Sequence, residues 1–428
     1  MTSEVIRTEQ PVLHDGISSI AFFNGRLLTG EDLTREQLAT TEARLRVGRV
    51  LGSGVACGLH VSPAPTGDPR RPVLTVTPGR AVNARGAVME LSRAVDVHLT
   101  RDGATGSAPE AIFTDCKPLQ PGTYLAGAGT YVLTVAPARR GVGRAPVSGL
   151  QNTRAQCNVA YSVEGVQFDL LRIALPASAL ATPAKSRNRV MHLMVGTSDA
   201  DRLAALANPL AQSPSRYGML DELVRQGCIS EDQVPLAFVL WTGSGGVVFV
   251  DHWAVRRRLH LRDHDLSAPL TGTRVRVDAQ AVLDQFHEHV LDLVRAETAN
   301  EALTGETAAA RFDRLPPVAL VPIIDEAGKG GGWDPDKFLG VQGSQEAATL
   351  DAESLRGLVR ESLDHTPYAV GGETRVQRYL VWETEQALAA GLPVRRVMVL
   401  AREGIAYRGT ARYGKARYAL SRYAPSVI

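Results

Sequence analysis

The residues that could do chemistry are easy to find in this chain, but each sits in a setting that argues against the chemistry. Gly409-Thr-Ala-Arg-Tyr-Gly414-Lys415-Ala416 has the GxxxxGK spacing of a phosphate-cradling loop. The position after the lysine is Ala416, so the hydroxyl that would hold magnesium is missing. Only twelve residues follow it, too few for the helix and strands a nucleotide-hydrolysing domain needs. Five histidines, His252, His260, His264, His287 and His289, fall within forty residues. His260 and His264 have the i, i+4 spacing of a zinc pair. Their segment reads as strand and loop, and Arg256, Arg257, Arg258 and Arg262 would oppose a cation. His287 and His289 stand about 200° apart on a helix and point to different sides. No metal site is expected.

The nucleophile motifs fail similarly. Ser53 and Ser244 lie between glycines but lack the outer glycines of a G-x-S-x-G elbow. Gly127-Ala-Gly129 and Gly141-Val-Gly143 are dinucleotide-loop fragments without the third glycine. Carboxylates such as Asp32, Asp96 and Glu383 are too scattered to pair by sequence alone. The reading is therefore of a non-enzyme without cofactor. The residues singled out for an interface are Tyr407, Arg408, Arg412, Tyr413, Arg417, Tyr418, Arg422 and Tyr423. Interleaved Tyr and Arg can stack on single-stranded nucleic acid, but they also anchor protein interfaces. A net charge of only +2 favours the protein partner. Arg256 to Arg258 read as salt-bridging residues at a domain seam, with Arg257 facing away from its neighbours in a strand.

The elements that must position these residues follow from periodicity. Residues 1–18 read as an extended arm, and Ile20 to Phe23 as a short strand closed by Asn24-Gly25. Thr29 with Asp32 starts a helix from about Glu31 to Val47, with Leu33, Leu38 and Leu45 in its apolar stripe. Strands follow over Val55–Val61, Val73–Thr77, Ala81–Asn83, Ala87–Leu91 and Val95–Leu99, then Tyr131–Val135. Residues 138–155 read as irregular. Val163–Ala174 reads as strand, and Ser198–Cys228 as helix broken near Pro214. Leu236–Leu240 and Val247–Val250 form a hairpin. Ala279–Glu301 is a helix with Val282, Phe286, Val290, Leu293 and Val294 on one face. Leu315 to Ile324 is extended. Asp351–Leu363 is a helix, and Tyr379–Trp382 and Arg396–Leu400 are strands.

The 428 residues are 44% hydrophobic and 21% charged, ordinary for a globular chain of several domains. With 40 glycines and 24 prolines, the expected class is α+β: a β-dominated multidomain chain with short antiparallel sheets and a few helices. The divisions expected are an arm at 1–18, a β-rich domain at 19–155 and a second at 156–275. A mixed α/β domain at 276–405 and a basic, aromatic tail at 406–428 complete the chain. Cys57, Cys116, Cys157 and Cys228 form no CxxC pair. Residues 1–10 lack the layout of a secretory signal, and no apolar run reaches the ~18 residues of a membrane span. A cytoplasmic start with reduced thiols is expected.

Several stretches together resemble a family from phage tails and phage-tail-like contractile injection systems. Phe22-Phe-Asn-Gly-Arg-Leu-Leu-Thr-Gly-Glu-Asp-Leu33 is similar to the "F-x-G-x-x-L-T-x-x-D-L" opening of such proteins. Gly54-Val-Ala-Cys-Gly-Leu-His-Val61 and Leu74-Thr-Val-Thr-Pro-Gly-Arg-Ala-Val-Asn-Ala-Arg-Gly86 resemble their next run, with Asn83 where Asp is usual. Pro235–Val239, Val250–Arg258, Phe312–Pro317 and Tyr379–Glu383 look like later landmarks. The resemblance implies a structural subunit, in or near the baseplate, with baseplate, tube or sheath-associated subunits as partners. It implies no catalytic residue, and self-association stays open. The alternatives are a tail fibre or spike subunit binding a cell-surface ligand, and a nucleic-acid-binding protein using the tail.

Overall fold

The computed structural model describes residues 16–65, 68–99, 127–145, 158–196, 218–260, 273–298, 307–323, 348–350, 352–371, 376–381 and 396–402, with Phe338 and Ile405 as single positions. The fold is α+β and β-rich, built from short, mostly antiparallel sheets. The calls at 1–15, His264, Pro214 and the 406–428 tail lie outside the described residues.

The first helix, α1 (Gly30–Leu51), is capped as its sequence dictates. The Thr29 side chain accepts from the Asp32 N–H, and the Asp32 carboxylate accepts from the Thr29 N–H. This capping box satisfies two otherwise orphaned donors. Short strands follow: β1 (Gly54–Gly58), β2 (Val61–Pro63), β3 (Val73–Val76), β4 (Gly79–Val82), β5 (Val88–Leu91) and β6 (Val95–His98). They pair as two three-stranded sheets, β1-β4-β5 and β2-β3-β6. The larger sheet has the order β10-β9-β7-β8, from β7 (Gly129–Ala145), β8 (Asn158–Ile173), β9 (Val234–Thr242) and β10 (Gly246–Asp251).

That larger sheet is covered on both faces. Alternation in β7 sends Tyr131, Leu133 and Val135 into a core with Val55, Leu59, Leu74 and Val76 of the small sheets. It sends Val132 the other way, with Phe238 of β9, onto helices. Those helices are α2 (Ala177–Leu180), α3 (Pro183–Val195), α4 (Met219–Arg225) and α5 (Thr273–Thr298). Helix α5 spans two cores with its expected stripe. Val282 packs against α3, while Phe286, Val290, Leu293 and Val294 pack against Phe312, Ala319 and Val321. The last elements are α6 (Ala308–Arg311), β11 (Arg314–Leu315), β12 (Val318–Ile323), β13 (Ala348–Leu350), α7 (Ala352–Ser362), β14 (Tyr368–Ala369), β15 (Val376–Val381) and β16 (Arg396–Arg402). Strands β12-β16-β15-β13 form a sheet, and its other face receives Leu358 of α7.

Several local expectations need correction. Ile20–Phe23 is not a strand; only the turn at Asn24-Gly25 forms, with Gly25 at φ +89°. Residues 138–145 are not irregular: β7 runs on to Ala145, paired with β8 throughout. The Gly and Arg content hid a strand whose partner lies at 158–165. The expected division at 155/156 falls between these paired strands. Residues 252–258 are turn and irregular backbone rather than strand. Helix α3 was not anticipated, because its buried face mixes Val190, Met191 and Met194 with Ser186, Arg187 and Asn188.

Helix α1 is held chiefly at its C-terminal end. A methyl group on Gly48 would lie 1.9 Å from the Gly86 carbonyl oxygen, and one on Gly86 (φ +87°) would lie 2.0 Å from the Leu45 carbonyl oxygen. Only backbone on both sides permits this approach. Replacing Gly48 by Ala should therefore lever α1 off the 84–87 turn and lower stability by about 1–3 kcal/mol. Thermal melts and proteolysis of α1 would report it; wild-type behaviour in both would show that the contact does not hold the helix.

Candidate interaction surface

The polar residues in the middle of the chain converge on each other. Arg187 of α3 reaches Asp251 at the end of β10 (2.9 Å), Asp292 of α5 (2.7 Å) and Glu288 of α5 (3.3 Å). Asp251 is fully buried. It also accepts from the Ala254 N–H (3.0 Å) and the Gln285 amide (3.0 Å), so three of its roughly four acceptor positions serve the chain's own packing. Burial alone would push the Glu288 carboxyl up. The neighbouring His252, the Arg187 charge and the Trp253 indole N–H (2.7 Å) reverse this and hold it at about 2. Burial also pushes the Arg187 guanidinium down, but Asp251, Asp292 and Glu288 raise it above its ordinary value. The cluster ties β10, α3 and α5 together as a charged seam.

The histidines serve the same packing. His252 Nε2 accepts the Val61 N–H at 2.8 Å, and His287 Nε2 accepts the Leu320 N–H at 3.2 Å. Burial holds the His287 ring below its ordinary value, in keeping with its acceptor role. His260 Nδ1 lies 2.9 Å from the Arg258 carbonyl oxygen. His289 stacks on Phe312 with ring centres 4.7 Å apart. As the helical spacing requires, His287 and His289 leave α5 in different directions, toward β12 and toward Phe312. Among the described residues no group of three or more His, Cys, Asp or Glu could hold a metal ion.

The three arginines also find structural partners. Arg257 pairs with Asp278 of α5, buried on both sides. Arg258 pairs with Asp284 at 3.1 Å. Arg256 is buried, donates to the Leu59 and Gly58 carbonyl oxygens, and sits 5.8 Å from the Trp253 ring centre. Burial, then the charge of Arg258, lowers its guanidinium to about 10. Salt bridging was expected here; the irregular backbone that delivers it was not. Sequence reading missed Arg187 altogether. Its signal was an arginine at the i, i+3, i+4 and i+7 face of Val190, Met191 and Met194, where a charge must be paired.

The surface that is left unpaired is apolar. Phe22, Phe23, Leu27 and Leu28, in the segment before α1, are all exposed, Leu27 at 90%. On α1 itself Leu33, Leu38, Val47, Val50 and Leu51 are exposed, and only Ala39 and Gly48 are buried. Of the expected apolar stripe, Leu33 and Leu38 are exposed and Leu45 is half-buried. Ile20 is the one buried anchor of the preceding segment, and its N–H donates to Glu36 at 3.1 Å. Large apolar side chains left exposed in this number are candidates for contact with a neighbour. Each such Leu or Phe, fully covered, would contribute roughly 1.5–3 kcal/mol. The expected interface residues Tyr407, Arg408, Arg412, Tyr413, Arg417, Tyr418, Arg422 and Tyr423 lie outside the described residues. No helix among the described residues is long and apolar enough to cross a membrane. Comparison of the chain with protein-family models and with curated proteins finds no match to either.

Proposed function

We propose that this chain is a structural assembly subunit of a contractile, phage-tail-like particle, in the baseplate or attached to it, and not an enzyme. The observation that carries this reading is the split behaviour of the resembling motifs. In Gly54–Val61 and Leu74–Gly86 the apolar residues Val55, Leu59, Val61, Leu74, Val76 and Ala81 are core. In Phe22–Leu33 the apolar residues Phe22, Phe23, Leu27, Leu28 and Leu33 are exposed instead. Apolar residues that the fold does not use internally are accounted for when a neighbour covers them. Their partners in such a particle are other baseplate, tube or sheath-associated subunits. The pairing of Arg187 with Asp251 and Glu288 across β10, α3 and α5 supports the non-enzymatic half of the reading.

The test is a chain carrying Leu33→Glu and Leu38→Glu. Both positions are exposed, so the substitutions should leave folding within ~0.5 kcal/mol of wild type. Capture of neighbouring subunits by a tagged chain should fall at least ~100-fold, since two charges would enter a dry contact. Undiminished capture would remove α1 from the docking surface.

A further inference from the structure

The β7–β8 hairpin outgrows its sheet. Strand β9 accompanies β7 only from Gly129 to Val135. Strand β8 follows β7 to the pair Ala145–Asn158 with an unbroken register. From Ala138–Gly165 outward the two strands form a ribbon roughly 25 Å long, at about 3.4 Å per residue. Both its edges are unpaired among the described residues, and a lone two-stranded ribbon is only marginally stable in water.

The two edges are built differently. The β7 edge carries Pro137, Arg139, Arg140, Gly141 and Gly143, the last at φ +75°. Proline, charge and kinking glycine are the devices that stop an edge from pairing. The β8 edge carries Glu164 and Gly165 where the ribbon leaves the sheet, and none of these devices over Asn158-Val-Ala-Tyr-Ser-Val163. Its Val159, Tyr161 and Val163 alternate, and all three are exposed, Tyr161 at 72%.

Parity limits what can add to this edge. In an antiparallel strand only alternate residues aim their N–H and C=O away from the first partner. A second copy of β8 can therefore meet the first only where the two residue numbers sum to an even value. Centred on Tyr161, the pairs are Tyr161 with Tyr161, Ala160 with Ser162, Val159 with Val163 and Asn158 with Glu164. Apolar meets apolar, small meets small, and no like charges oppose. Centred on Ser162 instead, Tyr161 would still face Val163, but Val159 would face Gly165 and Ala160 would face Glu164, which leaves fewer matched pairs.

We infer that two copies of this chain associate by antiparallel pairing of their β8 edges about Tyr161, giving a four-stranded β7-β8-β8-β7 ribbon across a two-fold axis. This goes beyond the assembly role proposed above and uses a surface separate from α1. The test is charge exchange at the axis, with the full chain and sedimentation velocity as readout. Wild type should dimerise in the micromolar range, as a small interface implies. Tyr161→Lys alone and Tyr161→Glu alone should each weaken the dimer about tenfold or more, because like charges then face each other. An equimolar mixture of the two should restore it, because only a residue that meets its own copy can be rescued this way. Unchanged melting temperatures would exclude misfolding as the cause. A wild-type chain that stays monomeric at ~100 μM, or a mixture that fails to recover, would overturn the pairing. Leu33→Glu with Leu38→Glu should leave the dimer intact, so loss of docking and loss of pairing are read separately.

Discussion

Replacing Arg187 by Ala is expected to cost about 3–5 kcal/mol of folding stability. The guanidinium is all but buried, and it faces Asp251, Glu288 and Asp292 together. Asp251 is the reason for the size of the effect. It is fully buried, and its other hydrogen bonds come from neutral donors, the Ala254 N–H and the Gln285 amide. Without Arg187 a carboxylate would be left charged in a place water does not reach. The half-exposed Asp292 could turn to solvent; Asp251 could not. Denaturant unfolding of the variant measures the loss. Adding Asp251→Asn to Arg187→Met should recover a large part of it, because removing both charges also removes the desolvation penalty. A single variant that loses less than ~1 kcal/mol would place the seam among ordinary surface ion pairs.

Acid should destabilise the protein steeply, and from a higher pH than carboxylates alone would cause. Burial, then the Arg314 charge, holds the His192 imidazole at about 3, against the backbone contact with Arg314 and the charge of Asp313. Burial, then Arg187 and Arg311, holds His289 at about 3, against Glu288. In the unfolded chain both would titrate near 6.5. Between those values the unfolded state binds protons that the folded state refuses. The stability from these two neutral rings is therefore complete above about pH 6.5 and is lost as pH falls toward 3. The slope approaches 1.4 kcal/mol per pH unit for each ring, or roughly 2–3 together. Glu288, held at about 2, adds a further loss below about pH 4.5. By pH 4 the two rings together should have removed roughly 7 kcal/mol, a large part of a total of about 5–15 kcal/mol. Unfolding free energies at pH 7, 6 and 5 check this, and His192→Gln with His289→Gln should flatten the profile. A wild-type stability that does not change between pH 7 and pH 5 would contradict the burial of both rings as neutral groups.

What could be read in advance was local. The Thr29–Asp32 capping box, the α5 stripe from Val282 to Val294 and the β9–β10 hairpin each depend on residues within a few turns of one another. Periodicity also found Leu33, Leu38 and Leu45, but an apolar stripe does not say what covers it. Only tertiary placement shows Leu33 and Leu38 facing outward. The Arg187 seam was invisible because its members lie as much as 105 residues apart. The outer part of β7 was missed for a related reason: Arg139 to Gly143 has weak strand propensity, and its partner 158–165 overrides it. Histidine clustering did not reveal that His252 and His287 take up backbone donors, because the donors at Val61 and Leu320 are distant in sequence.

The central claim is that the chain works inside a particle, and sedimentation of a native lysate bears on it most directly. A gradient fraction carrying tube-like and sheath-like subunits should also carry this chain, at a fixed ratio across the peak and in excess of its free form. With Leu33→Glu and Leu38→Glu the chain should leave that fraction. Recovery of the wild-type chain only at the size of a free monomer or dimer, while such particles sediment without it, would contradict assembly as its function.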